Sequence, residues 1–188
     1  MARLRSPEKR GAILEAAVHE IAETGLGAPT AQIARRAGIA AGTLFTYFAT
    51  KEELLNELYL ELKTETYARV NADFPHKKSL ELRTQHIWSS FLEWAIEFPE
   101  KRKVAVQLNL SNIITPETRA RVSAGYGSVD ITLQELGKLG AMQDLPAGFP
   151  AAMMSAMQEA TMDFVAKQPK RREELIARAF KLFWRAMR

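Results

Sequence analysis

Residues 30–48 constrain the fold of this chain more than any other stretch. Two runs with helical spacing, 30–37 and 41–48, are parted by a short turn that opens at Gly38. Ile33, Ile39, Leu44 and Phe48 supply apolar side chains to a shared core, and Ala34 and Ala37 are small where two helices must approach closely. A glycine at the turn permits a positive φ. Two helices of about two turns each, joined in this way, cross steeply and leave one side of the second projecting from the body. On that side fall Ala41, Gly42, Thr43, Thr46 and Tyr47. Small side chains there let a backbone approach a DNA groove, and Thr and Tyr hydroxyls donate to phosphate oxygens. Lys51 follows at the start of the next helix, where an ammonium and helix-terminal N–H groups together make an anion site. As helix–glycine–helix alone, the segment also fits a tight hairpin within a helical bundle.

The rest of the chain carries the same periodicity. Ser6 is an N-cap, Pro7 suits the first helical position and Glu8 complements the dipole. Gly25 marks the stop of a helix over 7–24. Further helices are expected over 51–72, 79–97, 99–108, 116–137, 150–167 and 169–187, with a loop over 140–148. No period-2 strand and no internal repeat is present. The expected fold is all-α, with about nine helices. It divides into a three-helix helix-turn-helix domain over 1–50 (motif about 29–48) and a helical domain over 51–188.

Composition removes competitors. The 188 residues contain no cysteine, which excludes a disulfide framework, thiolate-bound zinc, an iron–sulfur cluster and a Cys nucleophile. No segment reaches the ~18–20 uncharged apolar residues of a membrane span. A soluble, cytoplasmic protein with no membrane partner is expected. The net charge of +4 is unevenly spread. Residues 1–50 are +2, 51–166 are −4 and 167–188 are +6, so the total says little about a nucleic-acid partner.

Other motifs fail on their own terms. Residues 25–30 follow a helix rather than a strand and lack the third glycine and the lysine of a phosphate loop. Glu15 and His19 have helical spacing but no second histidine at ligand distance, and His76 and His86 lie in other segments. No serine stands beside a histidine in a nucleophile elbow. No metal, no cofactor and no catalytic group is expected, and the chain does not read as an enzyme.

Residues 7 to about 60 resemble the N-terminal DNA-binding domain of the TetR family of bacterial transcriptional regulators. The stretches that carry the resemblance are Ile33-Ala34-Arg35-Arg36-Ala37-Gly38-Ile39, Gly42-Thr43-Leu44-Phe45-Thr46-Tyr47-Phe48 and Lys51-Glu52-Glu53-Leu54. The resemblance implies a repressor that binds a palindromic operator as a homodimer, with double-stranded DNA and a small-molecule effector as partners, and it makes residues 51–188 the ligand-binding and dimerisation domain whose occupancy weakens DNA binding. Carried over by position, Thr30, Thr43, Tyr47 and Lys51 would contact phosphates, and Ala41 and Thr46 would face base edges. Two positions depart from the family pattern. Phe45 stands where tyrosine is usual, and Ala40 where Ser or Thr often caps the recognition helix, a loss of up to ~1 kcal/mol. Base readout is thin, because no Arg, Asn or Gln opens the recognition helix. Gln32 could reach a base or remain solvated, and Arg3 and Arg5 could enter a flanking minor groove or remain a free terminus. DNA shape is expected to supply much of the specificity.

Beyond residue 75 the sequence speaks of architecture more than chemistry. Trp88, Phe91, Trp94, Gln107, Asn112 and Tyr126 are candidates for a ligand cavity in which polar groups converge on an aromatic wall, and ordinary core packing accounts for them equally. Met153, Met157, Ala160 and Phe164 form one helical stripe, and Ile176, Phe180 and Phe183 belong to a second. These stripes either cover their own core or meet a second copy across a two-fold axis, as the resemblance implies. A helical small-molecule-binding or structural protein without operator binding is the alternative reading.

Overall fold

Ser6, Pro7 and Glu8 start the first helix as their chemistry dictates. The computed structural model describes residues 6–124 and 127–188. In α1 (Pro7–Thr24) the Ser6 side chain accepts the Lys9 N–H, and Gly25, at φ 82°, donates its N–H to the Ile21 carbonyl to end the helix. Next come α2 (Thr30–Arg36), Gly38 at φ 67°, and α3 (Ala41–Tyr47). A reciprocal cap opens α4 (Lys51–Asn71): the Thr50 hydroxyl accepts the Glu53 N–H at 3.1 Å, and the Glu53 carboxylate accepts the Ala49 N–H at 2.6 Å. The remaining helices are α5 (Leu80–Glu97), α6 (Pro99–Leu110), α7 (Pro116–Ala124), α8 (Ser128–Leu136), α9 (Phe149–Lys167) and α10 (Arg172–Met187), with a 3-10 turn at Pro169–Arg171 before the last.

The all-α expectation holds, and no strand occurs among the described residues. Ten α-helices stand where about nine were expected. The difference lies in 116–137, which forms α7 and α8 rather than one helix. Gly127, at φ 46°, takes a conformation that no α-helix can pass through.

The chain forms two compact units. The first runs to Glu65 and takes in Phe98–Val122. The second comprises Thr66–Glu97 and Ser123–Arg188.

In the first unit Ile13, Ala17 and Ile21 of α1 are buried with Ile33 and Ala34 of α2, Leu44 and Phe48 around α3, Leu54 and Leu58 of α4, and Val104 and Leu108 of α6. Charges cross between these helices. Arg10 reaches Glu57 at 2.7 Å and Glu61 at 3.2 Å, and Lys101 reaches Glu15 at 3.1 Å and Glu65 at 2.9 Å. Asn56 pins the loop after α6 to α4. Its amide donates to the Ile113 carbonyl and its oxygen accepts the Thr115 N–H, both at 3.0 Å.

The second unit is built on rings. Trp88 is fully buried and stacks on Phe183, with ring centroids 5.6 Å apart, while Phe180 lies 6.0 Å away. Leu92, Trp94, Met154, Met162 and Met187 complete this core. Buried Thr84, Thr132 and Thr161 each donate to the carbonyl four residues earlier, so their hydroxyls need no partner from another helix. The guanidinium of Arg83 grips both carboxylate oxygens of Glu135, joining α5 to α8.

Candidate nucleic-acid interface

The outer face of α3 is made mostly of small and hydroxyl-bearing side chains, with Leu44 and Phe48 turned inward and Phe45 left outside. Leu44 is fully buried and Phe48 nearly so. Ala41, Gly42 and Thr46 are exposed, and Thr43 and Tyr47 are half-buried. A Cβ added at Gly42 would meet nothing within 4 Å, so this point of the helix is open to close approach. The Thr46 hydroxyl donates to the Thr43 carbonyl at 2.7 Å, which leaves its methyl as the group offered outward. The Tyr47 phenol accepts the Ser6 N–H at 3.1 Å and keeps its own O–H as a donor. That bond ties the start of α1 to the end of α3. Thr30 is half-buried at the first position of α2. Neither α2 nor α3 has a side-chain cap: Pro29 and Ala40 stand at those positions.

Phe45 is 46% exposed and lies on the open side of α3. Leu44 and Phe45 are adjacent, so a helix cannot turn both inward.

Lys51 is half-buried at the head of α4. The terminus there is partly filled from within. Thr50 takes the Glu53 N–H, and the Glu52 carboxyl is held below its ordinary range by its own backbone N–H, then by Thr50, with a smaller contribution from the Lys51 charge. The expected anion site is thereby narrowed to the Lys51 ammonium.

Most cations of the first unit are held internally. Arg36 lies 2.6 Å from Glu20, which is only 6% exposed, and 3.2 Å from Glu23, so it faces α1. Lys103 donates to the Ala22 carbonyl, Lys63 sits over the Tyr59 ring, Arg119 donates to the Asn109 and Ser111 carbonyls, and Arg121 pairs with Glu57. Arg102 is engaged as well. Among the described residues no carboxylate forms an ion pair with Lys9, Arg35 or Lys51.

The candidate cavity residues divide between the units. Trp88 and Trp94 are core residues of the second, and Phe91 is half-buried with its ring 6.0 Å from that of Trp94. Gln107 on α6 and the exposed Asn112 belong to the first unit, and Tyr126 lies outside the described residues. The second unit has two clefts of its own. One, of about 530 Å³, is lined by Arg69, Gln85, Glu93, Arg172, Ile176 and Phe180 among others. Arg69 there lies 3.8 Å from Glu93 and 3.5 Å from Glu97. The other, of about 410 Å³, runs along α9 and α10 between Met157, Ala160 and Phe164 on one side and Leu175, Ala179 and Leu182 on the other.

The candidate interface residues separate in the same way. Met157, Ala160 and Phe164 line the α9–α10 groove, where Phe164 is 54% exposed. Met153 is half-buried on the same helix. Ile176 lines the larger cleft, and Phe180 and Phe183 are buried against Trp88. The apolar positions of α10 thus serve two faces. Leu175, Ala179 and Leu182 stand on the open one, a helical stripe with spacing of four and three; Leu175 and Leu182 were missed in the sequence, where Arg178 and Lys181 interrupt that stripe.

Residues 13–58 match the family model described as bacterial regulatory proteins, tetR family. Over 51 residues the chain is 49% identical to the HTH-type transcriptional repressor KstR2 of Mycobacterium tuberculosis, covering 27% of this chain and 26% of that one. Over 66 residues it is 38% identical to the fatty acid metabolism regulator protein of Bacillus subtilis, covering 35% and 34%. The matched stretch spans about a third or less of the length of these curated relatives. A crystal structure from Shewanella sp. PV-4, described as a tetR family transcription regulator, superposes with a TM-score of 0.82 at 28% identity, over 97% of this chain and 98% of that one. The helix-turn-helix segment and the ten-helix fold are therefore those of the TetR family of bacterial transcriptional regulators.

Proposed function

We propose that this chain is a transcriptional repressor that binds a palindromic operator as a homodimer and releases it when a small molecule occupies the second unit. The observation that carries the reading is α3. Leu44 and Phe48 face inward, and its outer face offers Ala41, Gly42, Thr43, Thr46 and Tyr47 beside the exposed Phe45. Such a face suits the major groove, where the Ala41 side chain and the Thr46 methyl meet thymine methyls and the hydroxyls of Thr30, Thr43 and Tyr47 meet phosphates. In this division of labour residues 1–50 read DNA and residues 51–188 bind the effector and the second copy.

The α9–α10 groove supports the dimer, because an apolar surface carrying Phe164 at 54% and Leu182 at 61% exposure gains by being covered. A dimer that reads a palindromic operator needs its two α3 helices about one DNA turn apart, ~34 Å. The larger cleft of the second unit is of a size that suits a small-molecule effector. An effector that fits only one spacing of the two heads lowers DNA affinity through its differential binding.

Selection of bound duplexes from a random pool tests the reading. A recovered sequence with two-fold symmetry and half-sites one turn apart is the expected result. A pool that stays random, or an enriched site without symmetry, overturns it. Replacing Thr46 by Ala is expected to change preference at particular positions of the recovered site by about 1 kcal/mol, and an equal loss on every sequence would argue against base contact.

A further inference from the structure

We infer that Lys9 and Arg35 complete, with Lys51, the set of cations that grips the DNA backbone. The inference rests on the DNA-binding reading above and adds residues that neither the sequence reading nor the family motif assigns.

The argument is one of charge left over. Within the first unit every other described Lys and Arg takes part in an interaction, nearly all of them through carboxylates, carbonyls or rings. Lys9, Arg35 and Lys51 remain without an ion pair among the described residues. Their positions bracket α3. The Lys9 N–H donates to the Ser6 side chain, and the Ser6 N–H donates to the Tyr47 phenol, so Lys9 lies in the turn of α1 held against the end of α3. Arg35 stands on the other side: its carbonyl accepts the Gly38 N–H in the turn that leads into α3. It is exposed one helical turn beyond the exposed Ala31, on the opposite side of α2 from buried Ile33 and Ala34. Lys51 follows the turn after α3. A helix in a major groove ~12 Å wide has a phosphate backbone on each flank. Arg35 at the turn before the helix, and Lys9 and Lys51 at its far end, are placed to meet that backbone.

Arg36 makes the contrast. It is adjacent to Arg35 and carries the same charge, yet it is turned onto Glu20 and Glu23. A count of basic residues treats the two alike, whereas the pairing separates a structural arginine from one available to DNA.

The test uses the full chain and a mixed-sequence duplex of about 30 base pairs, with affinity measured from ~50 to ~200 mM salt. Lys9→Ala and Arg35→Ala are each expected to lower the slope of log affinity against log salt by about 0.9, the change for one phosphate no longer neutralised, and Arg35→Lys to restore it. Arg121→Ala removes the same unit of charge at a site paired with Glu57 and is expected to leave the slope unchanged. Slopes unaffected by Lys9→Ala and Arg35→Ala, or lowered equally by Arg121→Ala, overturn the inference while the DNA-binding reading stands. Failure of the wild-type chain to bind the duplex with any salt dependence is a different result and overturns both. Unchanged thermal melting of the variants confirms that these exposed side chains do not act through folding.

Discussion

The two units hold themselves together by different means. In the first, the core is rich in small residues, with Ala16, Ala17, Ala22, Ala28 and Ala34 all buried, and charged side chains reach across from helix to helix. In the second, large rings fill the centre, with Trp88 between Phe180 and Phe183, and several charges are left along an open cleft. Small residues let helices approach closely but specify little about how far each slides along its neighbour. Ion pairs at fixed heights supply that register. Pairs with exposed partners add only about 0–1 kcal/mol each, so Arg10 and Lys101 set alignment more than stability. Glu20 is different, because its carboxylate is buried and depends on Arg36. In the ring-built unit shape supplies most of the alignment, with Arg83–Glu135 joining α5 to α8, and cleft charges such as Arg172 remain available to an outside molecule.

The largest effect is expected where the second unit is most dependent on one ring. Trp88→Ala should destabilise that unit by about 3–5 kcal/mol, the cost of emptying a fully buried aromatic site. All three tryptophans, Trp88, Trp94 and Trp184, lie in this unit, so the fluorescence of the remaining two in a urea titration reads it without contribution from the first. Trp88→Phe should cost less, because the indole N–H it removes is buried without a hydrogen-bond partner. A Trp88→Ala loss below about 1 kcal/mol would mean that the rings are not what holds the unit together.

The matching test in the first unit is Arg36→Ala. It strands the buried Glu20 carboxylate, whereas Arg121→Ala only frees a carboxylate that water can reach. Arg36→Ala should therefore lower the denaturation midpoint, read by circular dichroism, several times as far as Arg121→Ala. Solvent at the Arg36 guanidinium keeps the loss below that of Trp88→Ala. Adding Glu20→Gln should recover much of it, since a neutral amide replaces the stranded charge. A midpoint shift no larger than that of Arg121→Ala would place Glu20–Arg36 with the exposed pairs and remove the distinction drawn between them.

What the sequence revealed follows the same divide. Ser6, Pro7, Gly25 and Gly38 each have one local conformational task, so the start of α1 and the helix-turn-helix were legible from spacing alone. The outer face of α3 was legible too, because Leu44 and Phe48 fix which side turns inward. Pairings between distant residues were not. Glu20 and Arg36 are brought together only by the crossing of α1 and α2, and Asn56 reaches Ile113 across 57 positions of sequence. No local pattern encodes either contact, so Arg35 and Arg36 looked equivalent. In α10 the periodicity was visible but its two faces were merged, because Ile176, Phe180 and Phe183 lie among Leu175, Ala179 and Leu182 and only packing separates them. The division between α7 and α8 escaped because helical spacing continues on both sides of Gly127.

The smallest effect concerns a charge network of the second unit that is local. Glu174, in the first turn of α10, has its carboxyl lowered from 4.5 to about 2 by hydrogen bonds from Arg171 and then Arg178. These partners lie three residues before it and four after, so the network belongs to one helix end and joins no helices to each other. The sign follows from the direction of the shift. A carboxyl whose folded value is depressed contributes stability above its unfolded value, and that contribution is lost as pH falls from about 4.5 towards about 2. The site is solvent-exposed, so the contribution is screened and global melting should scarcely respond. A side-chain NMR titration is therefore the proper measurement. The Glu174 midpoint should lie near 2 in the native chain, and Arg171→Ala should raise it more than Arg178→Ala. A native midpoint at 4.5 would show that the network does not form. A large loss of global stability in either variant would show that this network is not merely local, and its contrast with the helix-joining pairs of the first unit would then fail.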